Sequence, residues 1–173
     1  ALRPPRPRGE GLLDWNLVFT DESAMLELAI EHGASLDSFI VGYAKAALKS
    51  PSQRVRARAI RALPLDQPLL LPALAAHSRS EDASLRVAVY ERSLNVPTGE
   101  AIPLLAEICL SGDKKWRQKA IERLAYFPTE AAERALVPLL SDDDFELRDA
   151  ALKTLEVIGA ARMRQEELKR KFS

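Results

Sequence analysis

Apolar positions recur along this chain at two periods, one nested in the other. Within short stretches they fall three or four residues apart, the spacing of one helix face. Over longer distances the whole pattern restarts, which marks an internal repeat. Val55, Leu85, Trp116 and Leu147 are its fixed points, separated by 30, 31 and 31 residues. Each is followed at once by an arginine (Arg56, Arg86, Arg117, Arg148), then four and five positions on by small or apolar residues: Ala59-Ile60, Val89-Tyr90, Ala120-Ile121 and Ala151-Leu152. Ser50, Ser80, Ser111 and Ser141 stand ahead of the four anchors. Counting back 30 from Val55 reaches Met25, with Ala29 and Ile30 at the same offsets and Leu26 in the arginine's place. That segment reads as a fifth, degenerate unit at the N-terminal end, where a capping repeat belongs.

Each unit predicts two helices. Val55, Ala59, Ile60 and Leu63 form the apolar stripe of one amphipathic helix, and Leu147, Ala151, Leu152 and Leu155 repeat it. The preceding helices carry Phe39, Ile40, Tyr43, Ala44 and Ala47 in one unit and Ile102, Leu105, Ile108 and Cys109 in another. The four serines, or Ser52, Asp82, Asp113 and Asp142–Asp144 after them, are candidate N-caps. Pro64, Pro68, Pro97 and Pro128 punctuate the junctions, Pro103 suits a first helical turn, and Pro138 should bend or break the helix it falls in. No β-branched run alternates as a strand would. The predicted helices lie near 21–33, 35–49, 52–63, 68–79, 82–95, 100–111, 114–126, 130–141 and 144–158, with a separate charged helix near 160–171. One hairpin cannot bury its own stripe, so the units must stack, and stacking with a small rotation makes a superhelix.

A turn rich in Ser and Asp, then an apolar-Arg pair, then small and apolar residues at helical spacing resembles HEAT repeats, closest to the short bacterial type also called phycobilisome-lyase-like. The resemblance covers roughly residues 35–159. It implies an all-α fold, a right-handed α-α superhelix of about four full hairpins plus the degenerate unit. It also implies a ladder in which turn acids bond helix arginines: Arg56, Arg86, Arg117 and Arg148 with Asp82, Asp113 and Asp142 or Asp143. The turn Ser50-Pro51-Ser52-Gln53 has no acid, which leaves Arg56 without a partner in its own unit. Second helices of HEAT hairpins line the concave side. There the positions two and six beyond the anchors hold Ala57, Val87, Gln118, Asp149, Arg61, Glu91, Glu122 and Lys153, flanked by Arg58, Arg92, Lys119 and Arg123. Arg58, Arg61, Arg92, Lys119 and Arg123 are the candidate partner-binding residues.

Charge changes this picture only locally. Lys+Arg and Asp+Glu number 25 each, so net charge alone points to neither nucleic acid nor membrane. Yet residues 38–65 hold Lys45, Lys49, Arg54, Arg56, Arg58 and Arg61 without one acid, while 130–156 hold eight acids against Arg134, Arg148 and Lys153. The rod is polarised, and an acidic partner suits its basic end. Residues 1–11, including Arg3-Pro4-Pro5-Arg6-Pro7-Arg8-Gly9, read as a basic, proline-rich linker, and 12–173 as one solenoid domain. Trp15, Leu17, Val18 and Phe19 are apolar enough to cover the first hairpin. The first residue is Ala, which fits a processed protein or a piece of a longer one.

Signals for chemistry are poor. His32 and His77 have no second ligand at metal spacing, and no phosphate loop, nucleophile elbow or HExxH is present, so no catalytic residue, metal or cofactor is expected. Cys109 reads as a small buried hydrophobe and Trp116 as a core anchor. The single cysteine and the lack of a signal-peptide pattern or membrane-length apolar run fit a cytoplasmic protein. The expectation is a non-enzymatic scaffold binding another protein through its concave face, with oligomeric state open. The alternatives are a nucleic-acid-binding or DNA-glycosylase-like HEAT protein, on a faint likeness at Asp14-Trp15-Asn16-Leu17-Val18, and a bilin lyase-like or assembly factor.

Overall fold

The computed structural model of the chain describes residues 36–172. The linker at 1–11, the unit around Met25 and the Trp15 segment lie outside the described residues. Among the described residues eight α-helices and no strand are found. They form four hairpins: α1 (Leu36–Ala47) with α2 (Gln53–Ala62), α3 (Leu70–His77) with α4 (Ala83–Asn95), α5 (Ile102–Ser111) with α6 (Lys114–Leu124), and α7 (Glu130–Leu136) with α8 (Phe145–Phe172). The second helices form a continuous row, α2 on α4, α4 on α6 and α6 on α8, while α5 packs on α7 beneath it. The chain is an all-α solenoid.

Burial explains why the repeat is read so easily. Val55, Leu85, Trp116 and Leu147 all sit in one core, each at most 8% exposed, together with Ala59, Ile60, Val89, Ala120, Ile121 and Ala151. Stripe residues four and five positions apart fall under their own helix and meet the same stripe of the next. Burying a Leu or Ile side chain fully contributes roughly 1.5–3 kcal/mol, so a stripe of several per unit dominates the stacking. Leu152 departs from the expectation: it is half exposed, because α8 turns it off the stripe that Leu147, Ala151, Thr154 and Ile158 continue. Ala57 departs in the other direction and is buried rather than facing a partner.

Local chemistry fixes the helix ends. Asp82 accepts from the Leu85 N–H (2.8 Å), Asp113 from the Trp116 N–H (3.2 Å) and Asp144 from the Glu146 and Leu147 N–H groups (2.9 and 3.4 Å), which satisfies donors the helix start leaves unpaired. Ser50 and Ser80 act one step earlier, taking the N–H of Ser52 and Asp82 and shaping the turn into the helix. Ser111 instead ends α5, its hydroxyl donating to the Glu107 carbonyl. Gly112 follows α5, and a Cβ there would lie 2.8 Å from the Ile108 carbonyl oxygen, so the tight α5–α6 turn excludes larger residues. Pro103 lies in the first turn of α5. Pro138 ends α7 after seven residues and the chain continues as a 3-10 turn, Val137–Ser141, since proline lacks the N–H the α-helix needs there.

The expected separate helix near 160–171 is not separate. α8 runs unbroken for 28 residues through Gly159, where an added Cβ would meet nothing. A lone glycine costs a helix only about 1 kcal/mol, and no proline or capping residue follows it to stop the turn.

Candidate functional site

The arginine beside each anchor reaches back over its own turn. Arg56 donates to the carbonyls of Ser50 and Pro51 (2.5 and 3.1 Å), Arg86 to those of Ser80 and Glu81 (both 2.7 Å), and Arg148 to those of Asp142 and Asp143 (2.5 and 3.0 Å). Arg117 differs: its Nε donates to the Cys109 carbonyl at 2.6 Å and its guanidinium pairs with Asp142 of the following hairpin. Arg56 therefore needs no acid, because backbone carbonyls serve. Asp82 and Asp113 cap helices, and Asp142 is the turn acid that bonds the column, at Arg117. That guanidinium holds the Asp142 carboxyl below its ordinary range, with help from the Asp144 N–H.

A second arginine row joins successive hairpins. Arg92 donates to the carbonyl of Leu63 and Arg123 to that of Val96 (2.9 Å), and these carbonyls close α2 and α4. Each arginine thus ties its helix to the end of the preceding second helix, with a charge-assisted bond to a backbone acceptor. Burial lowers Arg92 below its ordinary pKa, and the Nε of both Arg92 and Arg123 is buried without a partner. Of the other sequence-expected partner residues, Arg61 is paired with Glu91 at 3.0 Å across the α2–α4 junction, Arg58 is exposed on α2, and Lys119 lies over Trp116. Lys119 and Arg123 come together with Val87, Glu91 and Glu122 of the expected concave positions and with residues outside that set.

Those residues line an open groove of about 710 Å³ between α4 and α6. Val87, Glu91, Leu94 and Asn95 form the α4 wall; Lys115, Trp116, Lys119, Glu122 and Arg123 form the α6 wall, with Asp113 and Tyr126 at its two ends. Trp116 is the floor, packed edge-on against Tyr90 with ring centroids 5.9 Å apart at 63°. The ammonium groups of Lys115 and Lys119 lie 5.4 and 5.1 Å from the indole centroid, within the roughly 6 Å at which a ring face attracts a cation. At the other end Tyr126 is 73% exposed, with the Arg123 guanidinium 5.3 Å from its ring and 5.2 Å from that of buried Phe127. Tyr126 follows the helix proper, outside the repeating stripe, so periodicity could not flag it. An exposed aromatic beside a buried one was the available signal.

Residues 102–167 match the family model for HEAT repeats. This stretch is HEAT-repeat structure. The match spans α5 to most of α8, and α1–α4 carry the same hairpin plan at the same spacing. No curated protein matches the chain. HEAT repeats generally mediate contacts between proteins.

Within the HEAT stack, Cys109 is fully buried, and desolvation pushes its thiol up to about 12 although Arg117 nearby pulls the other way. A thiol so held is not a nucleophile at neutral pH. His77 is pushed below 6.5 by burial and by the charge of Arg56. Among the described residues no cluster of His, Cys, Asp and Glu has metal-ligand geometry, and no helix is long and apolar enough to cross a membrane.

Proposed function

We propose that this chain is a non-enzymatic interaction module that binds another protein along its row of second helices, with the α4–α6 groove at the centre. The observation that carries the reading is Tyr126, a large aromatic ring exposed beside a groove whose floor is also aromatic. Aromatic side chains at such positions supply much of the binding energy in protein interfaces. The Arg92 and Arg123 clamps hold α2, α4 and α6 together, so the groove walls are preorganised and little ordering cost attends docking. Partner binding is tested by comparing the wild-type chain with Tyr126→Ser in affinity capture from the native lysate, each with its melting temperature measured. The variant should melt like wild type, since Tyr126 buries little, and should lose the partners that wild type retains. Equal capture by both places the interface elsewhere.

A further inference from the structure

The charges around the groove are unevenly used. On α6, Lys114 pairs with Asp144 and Glu146 (2.8 and 2.6 Å), Arg117 with Asp142, and Arg123 with the Val96 carbonyl. Lys115 and Lys119 are the cations of this helix that have neither a carboxylate in ion-pair range nor a hydrogen-bonded carbonyl among the described residues. They stand one turn apart on one face, a like-charge pair that disfavours the helix slightly. Lys115 also lies in the first helical turn, where the helix dipole is itself positive. Asp113 faces the Trp116 N–H as a cap and makes no ion pair with either lysine. Two ammoniums are therefore held over the Trp116 ring, beside an open groove, and the carboxylates that share its lining (Glu91, Asp113 and Glu122) make no ion pair with either.

From this we infer that the groove takes an acidic segment of the partner protein, with a carboxylate seated between Lys115 and Lys119 and an apolar side chain laid against Tyr126 and Leu94. This rests on the protein-binding reading above and specifies the partner's chemistry. Lys119 and Tyr126 are seven residues apart, roughly 10 Å along a helix axis, a span that an extended chain covers in about three residues. The recognised pattern is an acidic residue followed about three positions later by a large apolar one. Glu122, exposed on the groove wall between the lysines and Tyr126, repels carboxylates from the apolar end and so sets the direction in which the segment lies. The same glutamate disfavours a phosphodiester strand, whose charge recurs at every nucleotide and could not avoid it. An isolated carboxylate can.

The test is a nuclear magnetic resonance titration of the full chain with short labelled peptides in a Gly-Ser background. One carries a Glu-Glu pair three residues ahead of a Leu-Phe pair; in the second the acids are Lys; in the third the apolar pair is Ser; an oligothymidylate serves as the nucleic-acid probe. The acidic-apolar peptide should shift the resonances of Trp116, Lys115, Lys119 and Tyr126. The double substitution Lys115→Glu/Lys119→Glu should weaken it about tenfold or more without moving the melting temperature. The other two peptides should bind the wild type at least several-fold more weakly. If the Lys-containing peptide shifts the groove resonances equally, the acidic preference is overturned while groove binding of proteins stands. If none of the peptides shifts the groove, the acidic-segment inference fails alone, because a folded partner surface remains untested by it. Shifts confined to residues away from the groove, or a groove that responds to the oligothymidylate instead, overturn both readings.

Discussion

Trp116 does two things at once, and replacing it separates them. The side chain is 8% exposed, fills the anchor slot of its repeat and packs edge-on against Tyr90. Trp116→Ala removes nearly all of that buried volume from between α4, α5 and α6, whose backbones are fixed by neighbouring hairpins and cannot close over the space. Loss of a buried large aromatic costs about 3–5 kcal/mol, of which the edge-to-face contact accounts for roughly 0.5–1.5. For a chain of this size each kcal/mol lowers the melting temperature by about 2–4 °C, which gives a fall of about 6–20 °C. The assay is urea unfolding followed by circular dichroism, with thermal melting alongside. Lys115→Ala/Lys119→Ala is the control, because these exposed ammoniums stack on the ring without holding the core, and it should change stability by less than about 1 kcal/mol. A Trp116→Ala loss below about 1 kcal/mol would rule out the core role and make the ring a surface platform.

Other substitutions probe other parts of the account. Arg117→Ala breaks the bond to the Cys109 carbonyl within the third hairpin and the bond to Asp142 that joins it to the fourth; bonds to charged groups contribute about 1.5–3 kcal/mol, and chemical denaturation should show a loss in that range. Ser93 is fully buried with its hydroxyl unpaired, in the slot that Leu63 and Leu124 fill in neighbouring repeats, so Ser93→Ala should raise stability by roughly 1 kcal/mol. The Cys109 thiol stays protonated in the fold up to about 12 but ionises near 9.0 when unfolded. Its contribution is therefore intact below pH 9 and declines as pH rises from there, and a thiol reagent at pH 8 should label it only after denaturant is added.

How much of this was legible in the sequence follows from which partner each residue uses. The stripes meet copies of themselves, so Val55, Leu85, Trp116 and Leu147 announce the stack in their own spacing. Pro138 is equally readable, because its effect needs no partner. The arginine column is visible as a pattern, but its main acceptors are backbone carbonyls at Ser50, Ser80 and Asp142, and a carbonyl leaves no trace in residue type. The clamps made by Arg92 and Arg123 are hidden for the same reason: seven positions past the anchor these residues lie off their own core stripe, and what they meet is the carbonyl that ends the preceding second helix. The groove is hardest to foresee, since it exists only between helices thirty residues apart in sequence.

The most direct test of the interaction reading is site-specific photocrosslinking. Benzoylphenylalanine is placed at Tyr126 on the groove, and separately at Leu110, exposed on first helix α5, in the full chain expressed in its native cells. The Tyr126 position should trap a discrete protein, Lys115→Glu/Lys119→Glu should abolish the adduct, and Leu110 should not form it. A discrete adduct from Leu110 and none from Tyr126, or trapping of nucleic acid at Tyr126, would contradict that reading.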